Sequence, residues 1–305
     1  MSESDDTMQC CANCGVAEGD DIKLRKCTAC YLVRYCGVKC QMDHRKQHKK
    51  ECKKRAAELK DELLFKQPES SHLGDCPICC LPLPIDLSKC GMHPCCCKRI
   101  CAGCIYATMV RESQRRLQHT CPFCREPVPK TNEQIYEQLK KRIKANDPVA
   151  MREMGTDRCD KGDYNAAFEY FTKAAALGDV EAHYRLSVLF REGKGVEKDD
   201  KKDLYHTEQA VIAGHPRARH HLGYVEGLSG RNDRAAKHYT IAAKLGNKDS
   251  LNALKNGYKA RHVSKDDFTD ALRGYQAAIE AMKSPQREAA AEFARQTADR
   301  EKRGI

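Results

Sequence analysis

Residues 76–124 read CPICCLPLPIDLSKCGMHPCCCKRICAGCIYATMVRESQRRLQHTCPFC and hold eleven cysteines. So short a segment buries too little apolar surface to fold on that basis alone, so its stability must come from those cysteines. C-x2-C pairs stand at both ends, Cys76/Cys79 and Cys121/Cys124, with a third, Cys101/Cys104, between them. Each pair sets two thiolates on one tight turn, the spacing that zinc uses. Six ligands are assigned in this way. The two others needed for a second tetrahedral site come from Cys90, His93, Cys95, Cys96 and Cys97, among which spacing alone does not choose. The interval after Cys104, IYATMVRESQRRLQH, is long enough for a helix.

Outside this segment the composition changes sharply. Nineteen of the twenty cysteines precede residue 125, and Cys159 stands alone in an alanine-rich, helical-looking half, where it reads as a small buried hydrophobe. No run approaches the roughly 18 apolar residues that span a bilayer. The start, MSESDDTMQ, has neither the basic nor the apolar part of a signal peptide. We therefore expect an intracellular protein, cytoplasmic or nuclear, without membrane contact, in which dense cysteines mean metal rather than disulfides. The formal charge of +11 is concentrated partly in HRKQHKKECKKR, residues 44–55. No RGG tract or aromatic-interleaved basic stripe accompanies it and tryptophan is absent, so nucleic acid is not expected as a partner.

A second cysteine cluster precedes the first. It reads Cys11-x2-Cys14-x12-Cys27-x2-Cys30-x5-Cys36-x3-Cys40-x7-His48-x3-Cys52, eight ligands for two sites. The four-residue spacings of Cys36/Cys40 and His48/Cys52 place each pair on one helix face. With YCGVKCQ at 35–41, His44, His48 and Cys52, this stretch resembles the MYND zinc finger, here 8–52. That resemblance implies one zinc on Cys11, Cys14, Cys36 and Cys40 and another on Cys27, Cys30, His48 and Cys52. It also implies a groove for a proline-rich peptide, although Arg45 stands where the family usually carries tryptophan. Cys10 is an alternative first ligand with poorer spacing, and His44 reads as a surface helix residue. KKRAAELKDELLFKQ then forms an amphipathic helix, and 53–73 is read as a helical linker ended by Pro68 and the polar PESSHLGD.

The stretch 74–127 resembles a RING finger. In that family the first and third ligand pairs share one zinc, here Cys76, Cys79, Cys101 and Cys104, and the second and fourth share the other. The family's spacing before the fifth ligand selects Cys96. Cys95 is taken as its partner, with His93 next in line, so the second site is Cys95, Cys96, Cys121 and Cys124. Lys98 occupies the usual histidine position. RING ubiquitin ligases hold the ubiquitin-conjugating enzyme with a hydrophobic residue in the first pair, a proline in the last and a cation after it, here Ile78, Pro122 and Arg125, with Ile105 as a further groove residue. Such a ligase contributes no catalytic side chain; it positions the thioester. Cys80, Cys90 and Cys97 read as spare thiols.

EQIYEQLKKRIKANDP, within 128–148, is read as a connecting helix. Beyond it KAAALGDVEAHYRL, QAVIAGHPRARHHL and IAAKLGNKDSLNAL align on Gly178, Gly214 and Gly246, 36 and 32 residues apart. Helix, glycine turn and helix at this period mark an α-solenoid. The stretch resembles the Sel1-like repeat. Ala182, Ala218 and Ser250 fall at equivalent small positions, and Leu186, Leu222 and Leu254 at equivalent core positions. A degenerate fourth copy, residues 267–293, caps the stack. His220 and His221 read as packing or solvent-exposed residues. The array, 149–295, is expected to bind a protein substrate or adaptor, and 296–305 is a charged tail.

Together these readings give a multidomain chain: two small zinc-stabilised modules, MYND-like and RING cross-brace, then an all-α Sel1-like repeat solenoid, with about four zinc ions, two per finger. The functional expectation is a RING-type ubiquitin-protein ligase whose repeats recruit the substrate. The alternative is a non-catalytic interaction scaffold.

Overall fold

The computed structural model describes residues 10–303. The first two residues expected in the MYND-like module and the last two of the tail lie outside that range. The chain forms two compact units that divide between Lys66 and Gln67.

The first unit has two short antiparallel strands, β1 (Arg25–Lys26) and β2 (Arg34–Tyr35), followed by helix α1 (Val38–Phe65). Its core is little more than Cys11, Leu24, Cys27, Cys30 and Tyr35. The helix expected beyond Cys52 is the continuation of α1, which carries Cys40, His48 and Cys52 and runs on without a break. Residues 53–65, KKRAAELKDELLF, are almost all strong helix formers and hold neither glycine nor proline, so nothing stops the helix before the approach to Pro68.

In the second unit strands β3 (Cys90–His93) and β4 (Lys98–Cys101) form an antiparallel hairpin that leads into α2 (Ala102–Gln114). Helix α3 (Asn132–Lys144) connects to three antiparallel helix pairs: α4 (Pro148–Asp160) with α5 (Tyr164–Ala176), α6 (Val180–Glu192) with α7 (Asp200–Ile212), and α8 (Pro216–Leu228) with α9 (Asn232–Lys244). Helices α10 (Lys248–Lys259), α11 (Lys265–Ala281) and α12 (Pro285–Arg303) follow.

One turn repeats between the pairs. A left-handed residue, Asn146, Gly178, Gly214 or Gly246, ends one helix, and the next residue caps the following helix, Asp147, Asp179, His215 or Asn247, by accepting a backbone N–H. The small positions Ala182, Ala218 and Ser250 are fully buried, and Leu186, Leu222 and Leu254 are at most 3% exposed. This is why the repeats stack: each pair seals its leucine and alanine face on the next.

Two segments behave differently from expectation. Residues 67–75 are not a free linker: the His72 N–H donates to the Gly214 carbonyl at 3.2 Å, and the chain lies against the second repeat. The fourth copy also splits. α11 packs on α9 and α10 as a cap should, but α12 leaves the stack and lies along α2. Ser284 and Pro285 break the helix and release α12 to do so. The expected tail is the helical end of α12, which runs on to Arg303.

Candidate metal centres

Four quartets of donors converge, each with its donor atoms within 4.8 Å of one another: Cys11/Cys14/Cys36/Cys40, Cys27/Cys30/His48/Cys52, Cys76/Cys79/Cys101/Cys104 and Cys95/Cys96/Cys121/Cys124. Sulfurs about 2.3 Å from a central zinc stand about 3.8 Å apart in a tetrahedron. The separations match that size: Cys14–Cys36 3.6 Å, Cys27–Cys52 3.8 Å, Cys76–Cys104 3.8 Å, Cys79–Cys101 3.8 Å, Cys96–Cys121 3.6 Å and Cys95–Cys124 3.3 Å. His48 Nε2 lies 3.2 Å from Cys30 Sγ. Every described cysteine is free of a disulfide, and these spacings are far beyond the ~2.05 Å of one.

The same knuckle builds one corner of each quartet. The N–H four residues after Cys11, Cys27, Cys76 and Cys121 donates to that cysteine's carbonyl, from Gly15, Tyr31, Cys80 and Arg125 at 2.8 to 2.9 Å. These four donors all have φ between +54° and +74°. The turn points backbone N–H groups at the first sulfur. Cys11 is held down to about 6 by the N–H groups of Cys14, Cys36 and Asn13 against a desolvation cost. At Cys27, also about 6, and Cys76, about 7, burial opposes ionisation but the converging N–H donors outweigh it. Cys121 is lowered in the same way. Their neighbours move the other way: Cys36 rises to about 12 because Cys40, Cys14 and Cys11 share its proton, and burial pushes Cys52 to about 12 and raises Cys95 and Cys104. Crowded sulfurs thus strongly resist ionising together, and a divalent cation relieves that repulsion. The donor sets fit zinc.

In the second unit the quartets interleave. The β3–β4 hairpin does this by carrying Cys95 and Cys96 at its tip and Cys101 at its base, where Cys101 faces Cys90. His93 starts a fifth knuckle-like turn, with the Cys97 N–H on its carbonyl at 2.7 Å. Its ring, however, sits edge-on to Phe123 and outside the quartet. Lys98 lays its ammonium over the same Phe123 ring. Cys10 bridges to Ala17 and joins no quartet. His44 is a packing residue: it takes part in a 3.1 Å hydrogen bond with the Tyr35 hydroxyl and stacks on His48. Cys97 is buried, Cys90 half-buried and Cys80 exposed; burial lifts the Cys90 thiol to about 11 and Cys97 to about 12, so neither is a ready nucleophile.

Of the four residues assigned to the conjugating-enzyme face, Ile78, Pro122 and Arg125 are exposed. Ile105 is not open surface. It packs on the cluster of Cys76, Leu83, Ile100, Cys101 and Cys104, and its Cδ1 fills the space a side chain at Gly91 would need. It is half-buried, unlike the other three.

A fifth cluster, His72, Glu181 and His215, was not foreseen. His215 accepts the Ala218 N–H on Nδ1 at 3.0 Å, so Nε2 carries the ring proton and donates it to Glu181 Oε2 at 2.9 Å. That nitrogen has no lone pair to give a metal. With His72 stacked 4.2 Å away, the trio is a latch that holds the 67–75 segment on the repeats. The signal was present in the alignment, because His215 occupies the capping position of Asp179 and Asn247.

Among known families, the MYND finger model matches residues 11–52, and the Sel1 repeat model matches 149–179, 180–215 and 216–247. The chain thus joins a zinc-binding, cysteine-rich N-terminal region to an all-helical Sel1 repeat array. Among curated proteins it is 39% identical over 54 residues to DAP3-binding cell death enhancer 1 of Rattus norvegicus, covering 18% of this chain and 11% of that one. It is 29% identical over 86 residues to chitin synthase regulatory factor 4 of Schizosaccharomyces pombe, covering 28% and 14%. The chain therefore spans a small fraction of these relatives. A Sel1 repeat protein from Oxalobacter formigenes aligns at 28% identity and a TM-score of 0.44, over 50% of this chain and 66% of that one. Among the described residues no helix is long and apolar enough to cross a membrane.

Proposed function

We propose that this chain is a zinc-stabilised scaffold that binds proteins, with the repeat array as its main docking surface. The observation that carries this reading is the contrast between the two sides of the stacked helices. The inward alanines and leucines are sealed, while Tyr205, Tyr224 and Leu228 are 55%, 52% and 71% exposed. Exposed aromatic side chains on a rigid frame are what protein partners use as anchors. Crosslinking of the wild-type chain in cells, compared with a Tyr205→Ser/Tyr224→Ser variant, tests it. One protein captured by the first and lost by the second is the expected result; identical capture profiles would sink the surface assignment.

A second reading is favoured by a specific observation. The interleaved quartets of residues 76–124 support a RING-type cross-brace, and Ile78, Pro122 and Arg125 stand exposed at its two outer knuckles. Arg125 is fixed there by its left-handed backbone and its bond to the Cys121 carbonyl. These features support a face for a ubiquitin-charged conjugating enzyme, hence a RING-type ubiquitin-protein ligase. Autoubiquitination with a panel of conjugating enzymes is the measurement. Activity that falls at least tenfold in Ile78→Ala and Arg125→Ala, with zinc retained, is the expected result; no activity with any enzyme leaves the scaffold alone. On the first unit the exposed Tyr31, Leu32, Val38 and Met42 support a peptide site, for which a proline-rich segment is the proposed ligand.

A further inference from the structure

We propose that Arg287, on the last helix, is the cation that balances the Cys76/Cys79/Cys101/Cys104 centre, which makes α12 an obligatory part of the second zinc module. This rests on the zinc reading of that quartet. Four thiolates around one divalent ion leave two net negative charges, and Cys76, Cys101 and Cys104 are buried. A buried charge of that size needs hydrogen-bond donors aimed at its sulfurs. The Cys101 N–H points to Cys76 Sγ at 3.5 Å. The opposite side, at Cys79, is served from 208 residues away in the chain. Arg287 Nη2 reaches Cys79 Sγ at 3.5 Å and donates to the Leu81 carbonyl at 3.2 Å, while Nη1 donates to the carbonyls of Pro82 at 2.8 Å and Met282 at 2.9 Å.

One planar guanidinium therefore ties a metal-site sulfur to the two carbonyls that leave the knuckle and to the turn before its own helix. Lysine, a point charge without the fork, cannot make all of these bonds. The approach is also built into α2. A Cβ added to Gly103, beside Cys104, would stand 2.8 Å from the Arg287 backbone nitrogen and 2.9 Å from the Gln286 carbonyl carbon, so the two helices meet backbone to backbone. Further along, Tyr106 packs on Phe293 with ring centroids 5.2 Å apart. Ile78 belongs to the same knuckle as Cys79, so Arg287 is a positioning residue for that exposed side chain as well.

The test is zinc release from the full chain to a chromogenic chelator, with metal content measured first and the order of cysteine alkylation read by mass spectrometry. Arg287→Met should release one zinc of the complement about 10- to 100-fold faster than wild type, with Cys79 and Cys101 alkylated earliest; Arg287→Lys should lie between. Gly103→Val, which keeps the guanidinium but collides with the Arg287 backbone nitrogen and Cγ and so forces α12 away, should reproduce the effect. The centres on Cys11 and Cys27, in the other unit, are internal controls and should not change. A wild-type chain that carries no zinc on the Cys76 quartet overturns the zinc reading itself. A zinc-loaded wild type whose release is unmoved by both Arg287→Met and Gly103→Val overturns this proposal alone.

Discussion

His215 shows how much one side chain decides. It caps α8 where neighbouring repeats use aspartate or asparagine, and it is 1% exposed. Burial, only partly offset by Glu181, pushes its pKa down to about 4, and burial moves His206 to a similar value. An unfolded histidine titrates near 6.5. Between pH ~6.5 and ~4 the unfolded chain therefore binds protons that the folded chain refuses, so the stability these residues contribute is complete above that window and lost as pH falls through it, at up to ~1.4 kcal/mol per pH unit for each. Glu181 is held well below the usual carboxylate range, opposed by burial but favoured by His215 and His72, so it stays ionised there. Thermal unfolding in excess zinc should show a melting temperature that drops below pH 6.5, and His215→Asn, which keeps a cap, should flatten that drop. Parallel slopes in the two proteins would contradict the account. At this scale the C-x2-C ligands were legible because a backbone turn alone sets their spacing. Spacing alone did not choose Cys95 and Cys96; the family resemblance did, and the β3–β4 hairpin that carries them at its tip is what brings them to Cys121 and Cys124. The packing of Ile105 over Gly91 was not legible, because it depends on room left on a strand distant in sequence.

Helices and turns carry a different kind of information. The period of Gly178, Gly214 and Gly246 exposed the repeats because each pair of helices must be reversed by a left-handed residue. Gly178→Ala meets no atom within 4 Å, so only backbone strain opposes it, and the loss should be ~1–2 kcal/mol in chemical denaturation. Gly195 has φ +69° and its added Cβ would fall 2.5 Å from the Tyr164 carbonyl carbon. Gly195→Ala should therefore cost clearly more than Gly178→Ala, and equal midpoints in urea would refute the steric reading. Element boundaries were harder to see. α1 crosses the edge of its zinc module because helix propensity continues there, and α12 deserts the stack because its partner surface, around Gly103, lies far away in sequence. The first is local and legible as a helix in the sequence; the second is not local, so no window of residues reports it.

The whole chain depends on metal unevenly. Residues 10–52 and 76–124 have small cores, and structural zinc contributes about 10–16 kcal/mol of apparent binding energy. A strong chelator should abolish their tertiary structure, while α4 to α11, packed on one another, keep most of the helical circular dichroism. Full loss of that signal would show that the repeats need the metal. Metal analysis of the native chain should give about four zinc ions, one for each quartet. The contact between Arg287 and the Cys79 knuckle also places a clock on synthesis. With 205 residues between Pro82 and Arg287, a ribosome adding about 5–20 residues per second exposes the knuckle for roughly ten to forty seconds before its guanidinium emerges. A module that takes up its metal during that interval does so without the clamp, and a stalled or truncated chain never gains it.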